Sequence, residues 1–255
     1  FIRYVRPTIN FAWDPASRAA DARRSLNKIM RGQVDALATL DANKRVLVNG
    51  AAGTGKTQLA IEWARRASSA GEMTMLTCFN VPLGHRLRTV TEEDELIAAG
   101  EFLDVMLRLQ GLPALPIPTD VNEYWYREVA PQHVMKNLES ITDRFDTIVV
   151  DEIQDFHDQW IDVMLALLAD DGHLLVTGDI QQNLYGRRGI DRILELDPAL
   201  AELTENCRNT QQIGGVLRRL GGARTALASP DGQGVFFYDA VGDDAVLSAL
   251  EQELK

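Results

Sequence analysis

Short apolar runs alternate with helical periodicities along most of this chain. Val46-Leu47-Val48 reads as a buried strand, and Leu59, Ala60, Trp63 and Ala64 are spaced like the inner face of a helix that follows it. Met73 to Cys78 predicts a second strand, Ile148 to Val150 a third and Leu174 to Thr177 a fourth. A helix is predicted over Gln159–Leu168, and another, through Leu26, Met30, Val34 and Leu37, precedes the first strand. Strands that alternate with helices predict an α/β fold. Its mostly parallel sheet should be covered by helices on both faces.

Punctuation divides the pattern. Residues 1–25 mix aromatics with Pro7 and Pro15 without a clean period and read as a lead-in from an upstream module. Gly111, Pro113, Pro116 and Pro118 interrupt the stretch from Leu107 to Asp120, so about 103–143 is expected to be a small insertion in a lobe spanning 26–205. After Asn206 come a predicted helix (Gln211–Leu220), strand (Val235–Tyr238) and helix (Asp244–Leu254). Residues 206–255 therefore read as the start of an incomplete second lobe.

Composition changes this picture little. At 255 residues and 45% hydrophobic content the chain can bury a large core, and no apolar run approaches the roughly 20 residues of a membrane span. Cys78 and Cys207 lie far apart with no metal-ligand spacing, which suits thiols in a reducing, cytoplasmic compartment. The net charge of −11 argues against coating nucleic acid by bulk electrostatics but leaves room for a local groove. Arg86 with Arg88, Arg187 with Arg188, and Arg218 with Arg219 are candidate cationic patches, or plain solvated surface.

The chemistry lies in two motifs. Gly50-Ala51-Ala52-Gly53-Thr54-Gly55-Lys56-Thr57 fits G-x-x-x-x-G-K-[ST], between a predicted strand and a predicted helix. Glycines let such a loop curl until its N–H groups face a phosphate, and the helix dipole adds to the attraction. Lys56 should reach the β- and γ-phosphates of a nucleotide, with Thr57 as a Mg²⁺ ligand. Ile148-Val149-Val150 runs into Asp151-Glu152-Ile153-Gln154-Asp155, which puts carboxylates at the C-terminal edge of the sheet. Asp151 is the expected second metal residue, and Glu152 the residue that orients an attacking water. The sequence lacks the N-K-x-D signature that reads guanine.

Asp-Glu-x-Gln-Asp is more specific than a bare carboxylate pair: it resembles motif II of the UvrD/Rep-type superfamily 1 DNA helicases. Gly178-Asp179-Ile180-Gln181-Gln182-Asn183-Leu184-Tyr185-Gly186-Arg187-Arg188-Gly189 resembles motif III of that family. Leu203-Thr204-Glu205-Asn206-Cys207-Arg208-Asn209-Thr210 resembles motif IV, and Thr77-Cys78-Phe79-Asn80 stands where motif Ia belongs. The wording is nearest to the UvrD-like ATPases that follow a nuclease-related NERD domain, with Trp160 as one cue. The resemblance implies a RecA-like lobe that uses ATP and Mg²⁺ and moves on single-stranded DNA, with RNA as an alternative strand. Its partner would be a second motor lobe of the same parent chain.

By the same resemblance Gln33 reads adenine, Gln58 belongs to the nucleotide site, Gln182 senses the γ-phosphate and Arg208 stabilises charge in the transition state. Phe79 and Tyr185 would stack on bases, with Asn80, Arg187 and Arg188 beside them. The sequence departs from the pattern at Cys207 and Gln58, which stand where an aromatic and an arginine flank adenine, and at Arg187, which replaces an aromatic. Gly100-Glu101-Phe102 is a poor match to the expected Thr-Phe-His, and no residues after Arg208 match motifs V and VI. Without the second arginine those motifs supply, the chain alone should hydrolyse ATP slowly. The rival reading is a nucleotide-gated DNA-binding module or regulatory ATPase that does not unwind.

Overall fold

A computed structural model describes residues 40, 42–180, 189–206, 209, 211–219 and 224–225. The expected lead-in, the helix through Leu26–Leu37 and the elements at 235–238 and 244–254 lie outside them.

Six strands form one sheet: β1 (Arg45–Gly50), β2 (Thr74–Cys78), β3 (Ile97–Glu101), β4 (Phe145–Asp151), β5 (Leu168–Gly178) and β6 (Ala199–Leu203). Their order is β3-β2-β4-β5-β1-β6, and every pairing is parallel. The architecture is RecA-like. Parallel strands need crossover connections, and those helices cover both faces. α1 (Lys56–Ser69) and α2 (Val81–Val90) lie on one face. On the other lie α3 (Phe102–Leu107), α4 (Ala130–Lys136), α5 (Asp158–Leu167) and α6 (Gly189–Leu194).

Burial on both sides explains why the strands read as unbroken apolar runs. Val46, Val48, Leu76, Val149 and Leu175 join α1 in one core cluster, while Leu47, Met75, Ile148, Val150, Leu174 and Val176 face the other. The second cluster centres on aromatic rings. Trp160 lies 5.2 Å from Phe102 and 5.6 Å from Phe156, centroid to centroid, and all three side chains are fully buried. The stretch expected as an insertion, 103–143, supplies this face with Val105, Met106, Leu109, Trp125, Ala130, Val134 and Ile141. A π-helical turn, Trp125–Val129, leads into α4, and the Trp160 indole N–H donates to the Tyr126 carbonyl at 2.8 Å.

Two strands of this sheet have no counterpart in the sequence reading. β3 (Ile-Ala-Ala-Gly-Glu) and β6 (Ala-Leu-Ala-Glu-Leu) are rich in alanine, which strands disfavour. Each forms because a neighbour offers a complete ladder: Thr74–Cys78 for β3 and Val46–Gly50 for β6. At the predicted second-lobe boundary, β7 (Glu205–Asn206) pairs in parallel with β8 (Arg224–Thr225), around α7 (Gln211–Arg219).

Gly84 shows how tightly α2 rests on the sheet edge. A Cβ there would lie 2.3 Å from the Glu101 backbone nitrogen. Gly84→Ala should therefore lower unfolding stability by about 2 kcal/mol through overpacking, despite its better helix propensity; urea unfolding measures it.

Candidate nucleotide-binding site

Because all six strands run parallel, their C-terminal ends share one edge, where open α/β sheets bind ligands. The P-loop leaves β1 there. β5 lies between β1 and β4, so the loop and the acidic pair sit across one strand from each other. Gly53 and Gly55 adopt φ of 86° and 97°, the left-handed region that lets the loop double back. The buried Thr54 hydroxyl closes the curl by donating to the Ala51 carbonyl at 2.8 Å. α1 then begins with Gly55 as its cap, no side-chain cap and no acid in its first turn, so its positive end stays available to an anion.

Lys56 is 5% exposed. Its Nζ donates to the Gly50 carbonyl at 2.9 Å and lies 3.7 Å from Glu152 Oε2. Glu152 itself has a left-handed backbone (φ 58°, ψ 53°), an uncommon conformation for a residue with a side chain. Its carboxylate accepts from the Gln154 amide at 2.9 Å, and Gln154 Oε1 accepts from the Asp179 backbone N–H at 3.1 Å. A continuous polar path thus runs from the P-loop lysine through motif II to the end of β5. The Asn49 side chain makes a second tie, accepting from the Ile180 N–H at 3.1 Å.

Asp151 is fully buried at the end of β4. Its Oδ1 accepts from the Thr177 hydroxyl at 2.6 Å and from the Glu152 N–H at 3.1 Å. Oδ2 is shut off from solvent and has no hydrogen-bond partner of normal geometry. Burial raises the pKa of this carboxyl above its ordinary value, and the Glu152 charge adds to the rise. Thr177 and Thr57 and the Lys56 charge pull the other way. A buried carboxylate oxygen left unmatched, with the Thr57 hydroxyl close by, fits a hard divalent cation. One carboxylate and one hydroxyl leave the rest of its shell to phosphate oxygens and water.

The other expected residues separate into groups. Ala51 is half-buried and Ala52 exposed in the P-loop, while Gln58 is exposed on the first turn of α1. Phe79 is half-buried with its ring 5.8 Å from Trp160, and it lines a cleft of about 620 Å³ with Val81 and Tyr126. The Asn80 side chain caps α2, accepting from the Leu83 N–H at 3.1 Å. Arg88, one of the candidate patch cations, is ion-paired with Asp104. Gln33, Gln182, Tyr185, Arg187, Arg188, Cys207 and Arg208 lie outside the described residues. Cys78 pairs in register with Asp151, and burial followed by that neighbour's charge pushes its thiol up to about 12. It is inert at neutral pH.

Two residues escaped the sequence reading. Thr177 anchors Asp151; the only sequence cue was a hydroxyl side chain closing an apolar strand just before Gly178-Asp179. Asn206 reaches the P-loop, donating to the Ala52 carbonyl at 2.9 Å, and its cue was its place in the motif IV core.

A family model described as an AAA domain matches residues 33–188. The chain belongs to that family. The match to the AAA domain takes in the P-loop, the acidic pair and the segment after β5. Among solved structures, the chain is similar to Pif1 of Bacteroides sp in complex with ADP-AlF4, with 17% identity and a TM-score of 0.36, over 77% of this chain and 45% of that one. It is similar to Bacteroides Pif1 bound to ssDNA, with 18% identity and a TM-score of 0.39, over the same shares. It is also similar to AMPPCP-bound DnaA from Aquifex aeolicus, with 14% identity and a TM-score of 0.37, over 75% and 50%. The chain spans about half the length of these proteins. No curated protein matches the sequence. Among the described residues, no helix is long and apolar enough to cross a membrane.

The raised Asp151 pKa fixes the sign of a stability effect. The folded state holds this proton more tightly than the unfolded chain, so the group's contribution is fully present below the unfolded pKa and lost as pH rises through the folded one. Ionising this buried carboxyl is therefore a cost to the folded state that grows as pH rises. Asp151→Asn should raise the thermal midpoint by about 3 °C at pH 7, roughly 1 kcal/mol, and the gain should fade as the buffer is acidified. Melting curves of both proteins across that range, without nucleotide or magnesium, check it.

Proposed function

We propose that this AAA domain is the ATP-hydrolysing motor lobe of a superfamily 1 helicase or translocase. In the parent protein it would couple hydrolysis to movement along single-stranded DNA. One observation carries the reading: Lys56, Asp151 and Glu152 converge on one sheet edge beside an uncapped helix N-terminus. The order of motifs from Thr77 to Arg208 then favours the helicase class over other P-loop enzymes.

The roles follow from the chemistry of each group. The loop N–H groups and the start of α1 receive the phosphates, and Lys56 exchanges the Gly50 carbonyl and Glu152 for β- and γ-phosphate oxygens. Thr57 and Asp151 would hold the magnesium, which neutralises charge on those oxygens when bound. Once Lys56 turns to the phosphates, Glu152 loses one of its two partners and is released to orient water, while Gln154 still ties it to Asp179. Gln182 and Arg208 would act on the γ-phosphate, and Gln33 on the base. Phe79, which lines the aromatic cleft, is the candidate stacking platform, and Asn80, Tyr185, Arg187 and Arg188 are the further strand contacts that the motif resemblance implies.

Two substitutions separate binding from chemistry. Lys56→Ala should abolish Mg-ATP binding, measured by titration with a fluorescent nucleotide. Glu152→Gln should bind ATP normally and lose about a hundredfold or more in kcat, measured by phosphate release. Hydrolysis unchanged in both variants would refute the site. For the strand, Phe79→Ala should weaken single-stranded DNA binding by about 1–3 kcal/mol in anisotropy titrations, whereas an unchanged affinity overturns the role of Phe79 as a stacking platform.

A further inference from the structure

The P-loop is held from behind by the segment that leaves the sheet after β6. Asn206 is 3% exposed. Its Nδ2 donates to the Ala52 carbonyl at the loop apex at 2.9 Å, and its Oδ1 accepts from the Asn209 N–H at 3.0 Å. The fit is tight, since a Cβ on Gly53 would lie 2.7 Å from Asn206 Nδ2. At the root of the loop, a Cβ on Gly50 would lie 3.1 Å from the Leu203 Cβ. The backbone of Asn206 is meanwhile paired with Thr225 in the β7–β8 ladder. One buried amide therefore joins the apex of the phosphate loop to the small sheet that follows the lobe.

We infer that Asn206 is a positioning residue that fixes the curl of the P-loop and transmits its nucleotide state to Asn209 and the β7–β8 pair. The inference rests on the reading of this edge as the phosphate site. The Ala52 carbonyl shares its planar peptide unit with the Gly53 N–H, so the bond from Asn206 limits how that N–H can turn toward a phosphate, and the amide pre-orders the loop. Any shift of the loop on binding must in turn move the Asn206 side chain, and with it the N–H of Asn209. Coupling of this kind acts equally in both directions. Holding Asn209 and the β7–β8 pair in place strengthens phosphate binding as much as phosphate steadies them.

The test uses the full chain and Mg-ATP, with two readouts. Asn206→Ala removes both side-chain hydrogen bonds, the one to Ala52 and the one from Asn209, and should weaken nucleotide binding about three- to tenfold. Hydrogen exchange of the wild-type chain should show slower exchange across 203–213 when nucleotide is added. In Asn206→Ala this response should disappear while that of the P-loop peptide remains. A residue that merely supports the fold would lower the melting temperature without erasing a nucleotide-dependent signal at a distance. Equal affinity and equal exchange response in the two proteins overturn the inference and leave the phosphate site standing. If the alanine variant does not fold, the wild-type exchange decides alone: no nucleotide response across 203–213 overturns the inference. Failure of the wild-type chain to bind Mg-ATP at all overturns the phosphate-site reading, and the inference with it.

Discussion

The organising constraint of this lobe is the buried carboxylate of Asp151 at the end of a strand that is covered on both faces. A charge at that depth costs several kcal/mol unless it is matched. The fold meets only part of that demand, with the Thr177 hydroxyl, the Glu152 N–H and the nearby Lys56 charge. The unmatched oxygen and the raised pKa are two expressions of the same deficit. A carboxylate matched only in part favours a ligand that brings positive charge to the sheet edge.

The parallel sheet makes this placement possible. Every crossover returns the chain to the same side, so β1, β4, β5 and β6 all deliver their last residues to one edge. The β1 end supplies the loop, β4 the acids, β5 the hydroxyl and the Asp179 N–H, and the residues after β6 the amide that backs the loop. The chain segments are distant in sequence and adjacent in space. That adjacency brings the P-loop, the acids and the exit toward β7 to one edge.

The cationic end of Lys56 meets a loop carbonyl and Glu152, while Glu152 is also engaged by Gln154. The lysine and the acid are therefore held beside each other. The left-handed backbone of Glu152 adds a local strain that the surrounding core must hold in place. The packed Trp160, Phe102 and Phe156 rings beneath this edge give the rigidity such a conformation needs.

The division between sequence and structure follows range. Val46-Leu47-Val48, the P-loop glycines and the run into Asp151-Glu152 were legible because each depends on local rules: apolar runs for strands buried on two faces, and left-handed φ for the loop. β3 and β6 were not legible, since their alanines prefer helices and only the hydrogen-bonding edges of β2 and β1 make them strands. The stretch 103–143, expected as a small insertion from its glycines and prolines, adds Trp125 and Val134 to the core beside β4 and β5, a contribution that its punctuation did not announce. Sequence alone could name Asp151 and Glu152 as the acids. Only the tertiary structure decided that Thr177 would hold one, Lys56 and Gln154 the other, and Asn206 the loop above them, because those partners meet through crossovers that sequence spacing does not measure.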